Sequence, residues 1–257
     1  MYKLPLLLLI TVSIVYGSNL ANPAVSVPVS RITIGASYLA SGYTITNLEI
    51  PSLFNRIHAR VEYSLLSNVS IGVDIGVTQI DVDKYAIGED SFPVFHGKFG
   101  FSGGAHLKVS TPFILKNTLA LTCIGNATTY SSKNTDGAMY GGFDGAGAIG
   151  LQLHIKRFGY ISAGPMMYLI KGNNESYDGI KGKYSNINNL RGWLAIDFFP
   201  DLKEMSSNKP FITLEITASP EADYSKRIPL QEFSVSLCIG SVSKRLRGIE
   251  NGVEWKP

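Results

Sequence analysis

Charge is scarce in this chain, and what there is nearly cancels. Only 17% of the 257 residues are charged, below the roughly 25% of ordinary soluble domains. The 23 lysines and arginines stand against 20 aspartates and glutamates, a net charge of +3. That balance lacks the basic excess that tracks a phosphate backbone, so nucleic acid is not an expected partner. Cysteine is scarcer still. Cys123 and Cys238 are the whole supply, which excludes a disulfide scaffold. In the strand phases given below they fall on opposite faces of one sheet, where a disulfide is geometrically awkward, so two free thiols are expected. No stretch shows a helical apolar period. The apolar run Leu4–Val15 is too short to span a bilayer as a helix, which needs about 20 residues. With Lys3 before it and Val15-Tyr16-Gly17 after it, it reads as an export signal over 1–17, followed by a lead over 18–30.

What the chain has in quantity is alternation of period two. In "RVEYSLLSNVSIGVDIG" (60–76), Ile57, Ala59, Val61, Tyr63 and Leu65 alternate with Arg56, His58, Arg60, Glu62 and Ser64. Beyond a turn at Ser67-Asn68, Val69, Ile71, Val73, Ile75 and Val77 alternate with Ser70, Gly72, Asp74, Gly76 and Thr78. The same phase persists almost to the end and predicts ten strands, near 31–45, 54–66, 69–80, 94–110, 117–129, 141–156, 158–170, 188–199, 210–219 and 231–240. "GGFDGAGAIG" (141–150) falls in one of them and reads as a glycine-rich strand rather than a phosphate loop, because no helix follows it. Residues 31–240 form one all-β unit, and 241–257 a polar tail. The connections predicted after even strands are mostly short, and those after odd strands longer, at 46–53, 81–93, 130–140, 171–187 and 220–230.

One face of these strands is almost free of charge. The other carries Arg56, Arg60, Lys98, Lys108, Lys156 and Arg191, balanced by Glu62, Asp74, Asp144, Asp197, Glu215 and Glu232. His58, His96, His106 and His154 share it, each followed two residues later by a base. A cation beside every histidine disfavours a bound metal, so neither metal nor cofactor is expected. A soluble barrel would turn the apolar face inward; a membrane barrel turns it to lipid and encloses the polar lining. Long strands favour the inverted order. So do glycine and alanine on the apolar face (Gly97, Gly103, Ala105, Gly145, Gly147, Ala163), which would fill a soluble core poorly. Aromatics near strand ends point the same way. Tyr63, Phe158, Tyr160, Phe198, Phe199 and Phe211 sit at the short-turn end. Tyr43, Phe54, Phe92, Phe95, Tyr130, Tyr140, Phe143 and Tyr168 sit at the long-loop end, and the two sets predict a pair of girdles.

By this pattern of export signal, ten amphipathic strands and aromatic ends, the chain over about 30–240 resembles the bacterial outer-membrane β-barrel superfamily, the OmpA-like and porin-like small barrels. The resemblance implies a closed up-and-down antiparallel transmembrane β-barrel in the outer membrane. It further implies contact with outer-membrane lipid and delivery by the barrel assembly machinery, with long loops free to meet an extracellular ligand. The chain departs from such proteins in ending on "SVSKRLRGIENGVEWKP" rather than on an aromatic that closes the last strand. Pro165 also interrupts strand seven, where a bulge is expected to absorb it. The expected role is structural, adhesive or that of a narrow passive channel, and the chain does not read as an enzyme. A balanced lining in a narrow interior points to cross-strand ion pairs and a plug. The alternative is a soluble lipocalin-like barrel holding an apolar ligand. A third reading, an omptin-like hydrolase, draws on Asp81 and Asp83 near a loop, with His96 the histidine it would import and the 171–187 loop offering Asp178 but no histidine.

Overall fold

The computed structural model describes residues 31–243 apart from 46–49, 67, 88–89, 116–117, 156–157, 177–178, 187–188, 199–207 and 221–232. The expected export signal and lead, most of the tail, and the lining candidates Lys156 and Glu232 lie outside the described residues.

Alternating, β-branched and aromatic sequence produces long strands, and every element among the described residues is a strand. In chain order they are β1 (Ile32–Ile45), β2 (Ile50–Leu66), β3 (Val69–Val82), β4 (Tyr85–Ile87), β5 (Asp90–Phe92), β6 (Phe95–His96), β7 (Lys98–Ser110), β8 (Leu119–Lys133), β9 (Met139–Ile155), β10 (Gly159–Glu175), β11 (Lys181–Ser185), β12 (Leu190–Phe198), β13 (Lys209–Ala218) and β14 (Phe233–Val242). Ten of them form a ring of antiparallel neighbours: β1, β2, β3, β7, β8, β9, β10, β12, β13 and β14. β14 then pairs with β1 from Thr33↔Val242 to Ser41↔Ser234, which closes the barrel and leaves the ring no free edge. The expected all-β class and the ten-stranded antiparallel closure are therefore what the chain adopts.

Three details differ from expectation. The strands run further toward the loop end than predicted, with β2, β9 and β10 each 17 residues long. That shortens two of the connections expected to be long, to 46–49 and 134–138. At the opposite end the strands bound connections of 111–118 and 199–208, within two residues of those expected. Pro165 provokes no bulge. The β9–β10 ladder skips Gly164 and Pro165 and resumes in the same register, Ala163↔Leu151 and Met166↔Ala148. Gly164 makes this tolerable, because a Cβ there would lie 2.1 Å from the Ile149 carbonyl oxygen. A one-residue irregularity does occur, in β7, where Phe99↔Ser132 gives way to Ser102↔Tyr130.

The wall is polar inside and apolar outside. Ile57, Val61, Ile71, Val73, Ile75, Leu107, Ile149, Leu151 and Met167 are exposed on the outer face. Arg60, Glu62, Lys108, Arg191, Asp197 and Glu215 are buried within. Cys123 is exposed, Cys238 is buried, and the two thiols are free.

Candidate functional site: the barrel interior

The interior is built by register. Cross-strand partners share a face, so residues of one rung meet inside the barrel. Arg60 on β2 is partnered with Asp74 on β3, and its Nε lies 2.6 Å from Asp74 Oδ1. Glu62, Gly72 and His106 form the next rung across β2, β3 and β7. Gly72 carries no side chain, so the His106 ring lies over β3 and puts Nε2 3.1 Å from Glu62 Oε2. Its Nδ1 is 3.0 Å from Asp74 Oδ2 and 3.2 Å from Arg60 Nη2. Lys108 Nζ completes the group, 3.1 Å from Glu62 Oε2. Two bases, two acids and one imidazole thus neutralise each other in a dry interior, where a lone charge would be costly. Gly76 repeats the device two rungs away, letting His58 Nε2 reach Ser102 Oγ at 2.7 Å.

Gly72 is thereby a positioning residue for the network. A Cβ there would stand 2.3 Å from His106 Nε2 and 2.6 Å from the Val61 carbonyl oxygen, and the second of these is backbone that cannot swing away. Gly72→Ala is expected to destabilise the folded barrel by about 1–3 kcal/mol through overpacking. Gly147→Ala, on the outer face with nothing within 4 Å of the new Cβ, is the matched control and should be neutral or slightly stabilising in the same urea titration.

Toward the loop end the lining turns aromatic. Tyr43 and Tyr168 stack with centroids 4.9 Å apart and planes 3° from parallel. The Arg191 guanidinium lies 4.6 Å from the Tyr43 ring centre, donating from Nη1 to Ser234 Oγ at 2.8 Å and from Nη2 to the Gly42 carbonyl at 3.3 Å. Arg56 pairs with Asp144 and packs 5.1 Å from the centre of the Tyr130 ring. Above them the Tyr130 and Tyr184 hydroxyls are 3.1 Å apart, and Phe95 packs on Tyr140 at 4.5 Å. β11 supplies Tyr184 by pairing with the upper part of β10, and Asn186 bridges from there to Ile45 at the top of β1. Between the two zones a cavity of about 10 Å³ remains among Leu39, Arg56, His58, Asp74 and Asn126, about the room one water needs. Toward the turn end, Thr213 Oγ1 donates to Asp197 Oδ1 at 2.6 Å, Gln152 Nε2 donates to Ser162 Oγ at 3.3 Å, and His154 stacks on Tyr160.

Of the expected lining, Arg56, His58, Arg60, Glu62, Asp74, His106, Lys108, Asp144, Arg191, Asp197 and Glu215 are buried in the interior, and His154 is half-buried at its turn end. His96 and Lys98 are exposed at the loop end instead. The irregularity between Phe99 and Ser102 is the cause, since one extra residue reverses which side chains point in. It also brings Phe95 and Gly97, expected outside, to buried positions.

The expected loop-end girdle is corrected more widely. Tyr43, Phe54, Tyr130, Tyr140 and Tyr168 are buried in the interior, Phe143 is an exposed outer residue, and the Phe92 side chain lies outside what the structure describes. The signal was present, because Phe54 shares the phase of Arg56, Tyr140 that of Asp144, and Tyr43 that of Ser41. At the turn end, Tyr160 and Phe211 are also interior, while Phe158 and Phe198 pair at 4.8 Å.

Asp81 and His96 do meet at the loop end, Oδ1 to Nδ1 3.4 Å, with the His96 side chain 79% exposed. Among the described residues no group of three His, Cys, Asp or Glu side chains is arranged to hold a metal ion. An exposed pair of this kind contributes about 0–1 kcal/mol, so His96→Ala should leave the urea midpoint within error of wild type.

Compared with known proteins, the chain matches no family model and no curated sequence. Fold and interior alone define its class: a closed ten-stranded antiparallel barrel with a charged, aromatic-capped filling and an apolar exterior.

Proposed function

We propose that this chain is an integral outer-membrane β-barrel protein, exported by its N-terminal segment, whose role is structural or adhesive. The observation that carries the reading is the inverted wall. Ile57, Val73, Ile75 and Ile149 are exposed on the same strands whose Arg60, Asp74 and Lys108 are buried. Water around the barrel would leave that apolar face unburied and the charges desolvated, whereas lipid reverses the first cost and the ion pairs offset the second. Partners on this reading are membrane lipid, the barrel assembly machinery, and any ligand met by the loops.

The filled interior favours a scaffold over a wide channel. Among the described residues, ion pairs and stacked tyrosines fill the interior around a cavity of about 10 Å³. A lipocalin-like carrier would need an open apolar interior, which this lining does not offer. Among the described residues, the Asp81–His96 contact is the feature that speaks for the hydrolase reading.

Fractionation tests the proposal. The chain should sediment with membranes, extract only with detergent, and migrate differently on a gel before and after heating. Recovery as a soluble, heat-indifferent monomer would overturn it. In planar bilayers the purified barrel should show little or no conductance, and steady large channels would replace the scaffold role with a porin-like one.

A further inference from the structure

The outer face is not apolar throughout. At the loop end of β7 to β11 the outward side chains change from aliphatic to basic. Lys98 and Lys133 are direct cross-strand partners, a like-charge opposition that a sheet normally avoids. The rung continues through Met139 and Glu175 to Lys181, whose Nζ lies 3.8 Å from Glu175. Below it Asn173 faces Lys183, and Lys171 faces Ser185. Lys171 and Lys183 are therefore diagonal neighbours, roughly 7–8 Å apart at the backbone, close enough for two ammonium groups to share one phosphate. Among the described residues, none of Lys98, Lys133, Lys171 and Lys183 forms an ion pair. A surface cleft of about 610 Å³ lies here, lined by Phe143, Lys171, Asn173, Lys183 and Ser185.

What lies beneath the cleft selects among anions. Next below Lys171 on the same face of β10 come Leu169 and Met167, and their partners on β9 are Gly145 and Gly147. The next strand places Ala127 and Gly125 beside those glycines. The Phe143 ring leans over Gly145, 3.4 Å from where a Cβ would stand, and below it Gly147 and Gly125 leave the floor open beside Met167, so that a shallow apolar trough runs down the wall from the cationic cleft. A free anion has no use for such a trough, whereas an amphiphile would fill both parts.

We propose that this face holds one anionic lipid, its headgroup phosphate between Lys171 and Lys183 and an acyl chain passing Phe143 into the trough over Gly147 and Gly125. The site rests on the membrane reading above. Outward lysines that are unpaired among the described residues, and that sit immediately above an apolar wall, are placed where a headgroup would meet a bilayer-embedded barrel, and the contact would fix the depth and tilt of the barrel.

The test uses the full chain folded in zwitterionic detergent, with phosphatidylglycerol as probe and adducts counted by native mass spectrometry. One phosphatidylglycerol should be retained by the wild type, and phosphatidylcholine should not. The double variant Lys171→Gln/Lys183→Gln should lose about tenfold or more in apparent affinity. A charge-matched variant, Lys84→Gln/Lys209→Gln, should bind as wild type does, and heat-dependent gel migration should be unchanged in both. Displacement of the lipid by equimolar inorganic phosphate would overturn the lipid assignment in favour of a plain anion site. A folded micellar barrel whose phosphatidylglycerol binding ignores the Lys171/Lys183 change overturns this site alone. Recovery of the wild type as a detergent-free soluble monomer overturns the membrane reading and this site with it.

Discussion

Replacing Arg56 by methionine is expected to destabilise the folded barrel by about 3–5 kcal/mol, the usual result of removing one partner of a buried ion pair. Arg56 and Asp144 are both buried, and they come from β2 and β9, two strands that are not neighbours in the ring. The pair therefore spans the interior rather than running along the wall. Without Arg56, Asp144 is left without its guanidinium partner in a buried lining that includes Tyr168. Asp144→Leu should cost a similar amount by stranding the guanidinium. The informative variant is the double one. Arg56→Met with Asp144→Leu replaces both charges with apolar groups of comparable size and should regain most of the loss. Urea unfolding of the detergent-folded protein, followed by heat-dependent gel migration, would give all three values. If the double variant cost the sum of the two singles, Arg56 and Asp144 would be independent, and the interior would not be held by paired charge.

How much of this pair was legible beforehand follows from what sequence phase can and cannot convey. Period two assigned Arg56 and Asp144 to the charged face, because within one strand a side chain's face is fixed by parity alone. It could not say that they meet, since their partnership depends on barrel closure and on the curvature of strands far apart in sequence. His106 makes the same point. Its base neighbour Lys108 is visible in the sequence, but the carboxylates of Glu62 and Asp74 reach it only because Gly72 leaves the space between strands open. Parity fails outright where a residue is inserted. The irregularity in β7 turned His96 and Lys98 outward and Phe95 inward, and nothing in "FHGKFGFSGG" marks it beyond a surplus of glycine. The loop-end aromatics were a different kind of miss. Their position near strand ends suggested a girdle, although phase already placed Phe54 with Arg56, Tyr140 with Asp144, Tyr130 with Asn126 and Thr128, and Tyr168 with Ser162. Phase was the better guide, because it reports a face directly, while distance from a strand end reports only height. The contribution of β11 had no signal of period at all, as five residues within a polar loop carry too little alternation to be read.

Val73→Arg should separate the two solvents more sharply than any change inside the barrel. Val73 lies within β3, is half exposed on the outer face, and is followed directly by the buried Asp74. Its neighbours on that face are Val61 on β2 and Ala105 on β7, both apolar. In a bilayer an arginine at this height must snorkel or carry water with it, and the expected loss is about 2–4 kcal/mol, falling toward zero for the same change nearer a strand end. Val69→Arg, four residues closer to the turn, provides that second position. In water an outward arginine on a solvated strand would cost little, and surface changes of this kind stay within about 0.5 kcal/mol. Equilibrium unfolding from lipid vesicles is the measurement, with Val73→Arg, Val69→Arg and wild type compared at fixed lipid. A graded loss, larger at 73 than at 69, is the result that the inverted wall demands. Two variants as stable as the wild type would mean that Ile71, Val73 and Ile75 face no hydrocarbon, and the outer face would then need a protein partner to cover it. The same experiment bears on the interior by contrast. Arg60 on the inner face of β2, one residue from Val61, is tolerated because Asp74 meets it at 2.6 Å, whereas an arginine at 73 points the other way, where no carboxylate among the described residues of β2, β3 and β7 is in position to pair with it.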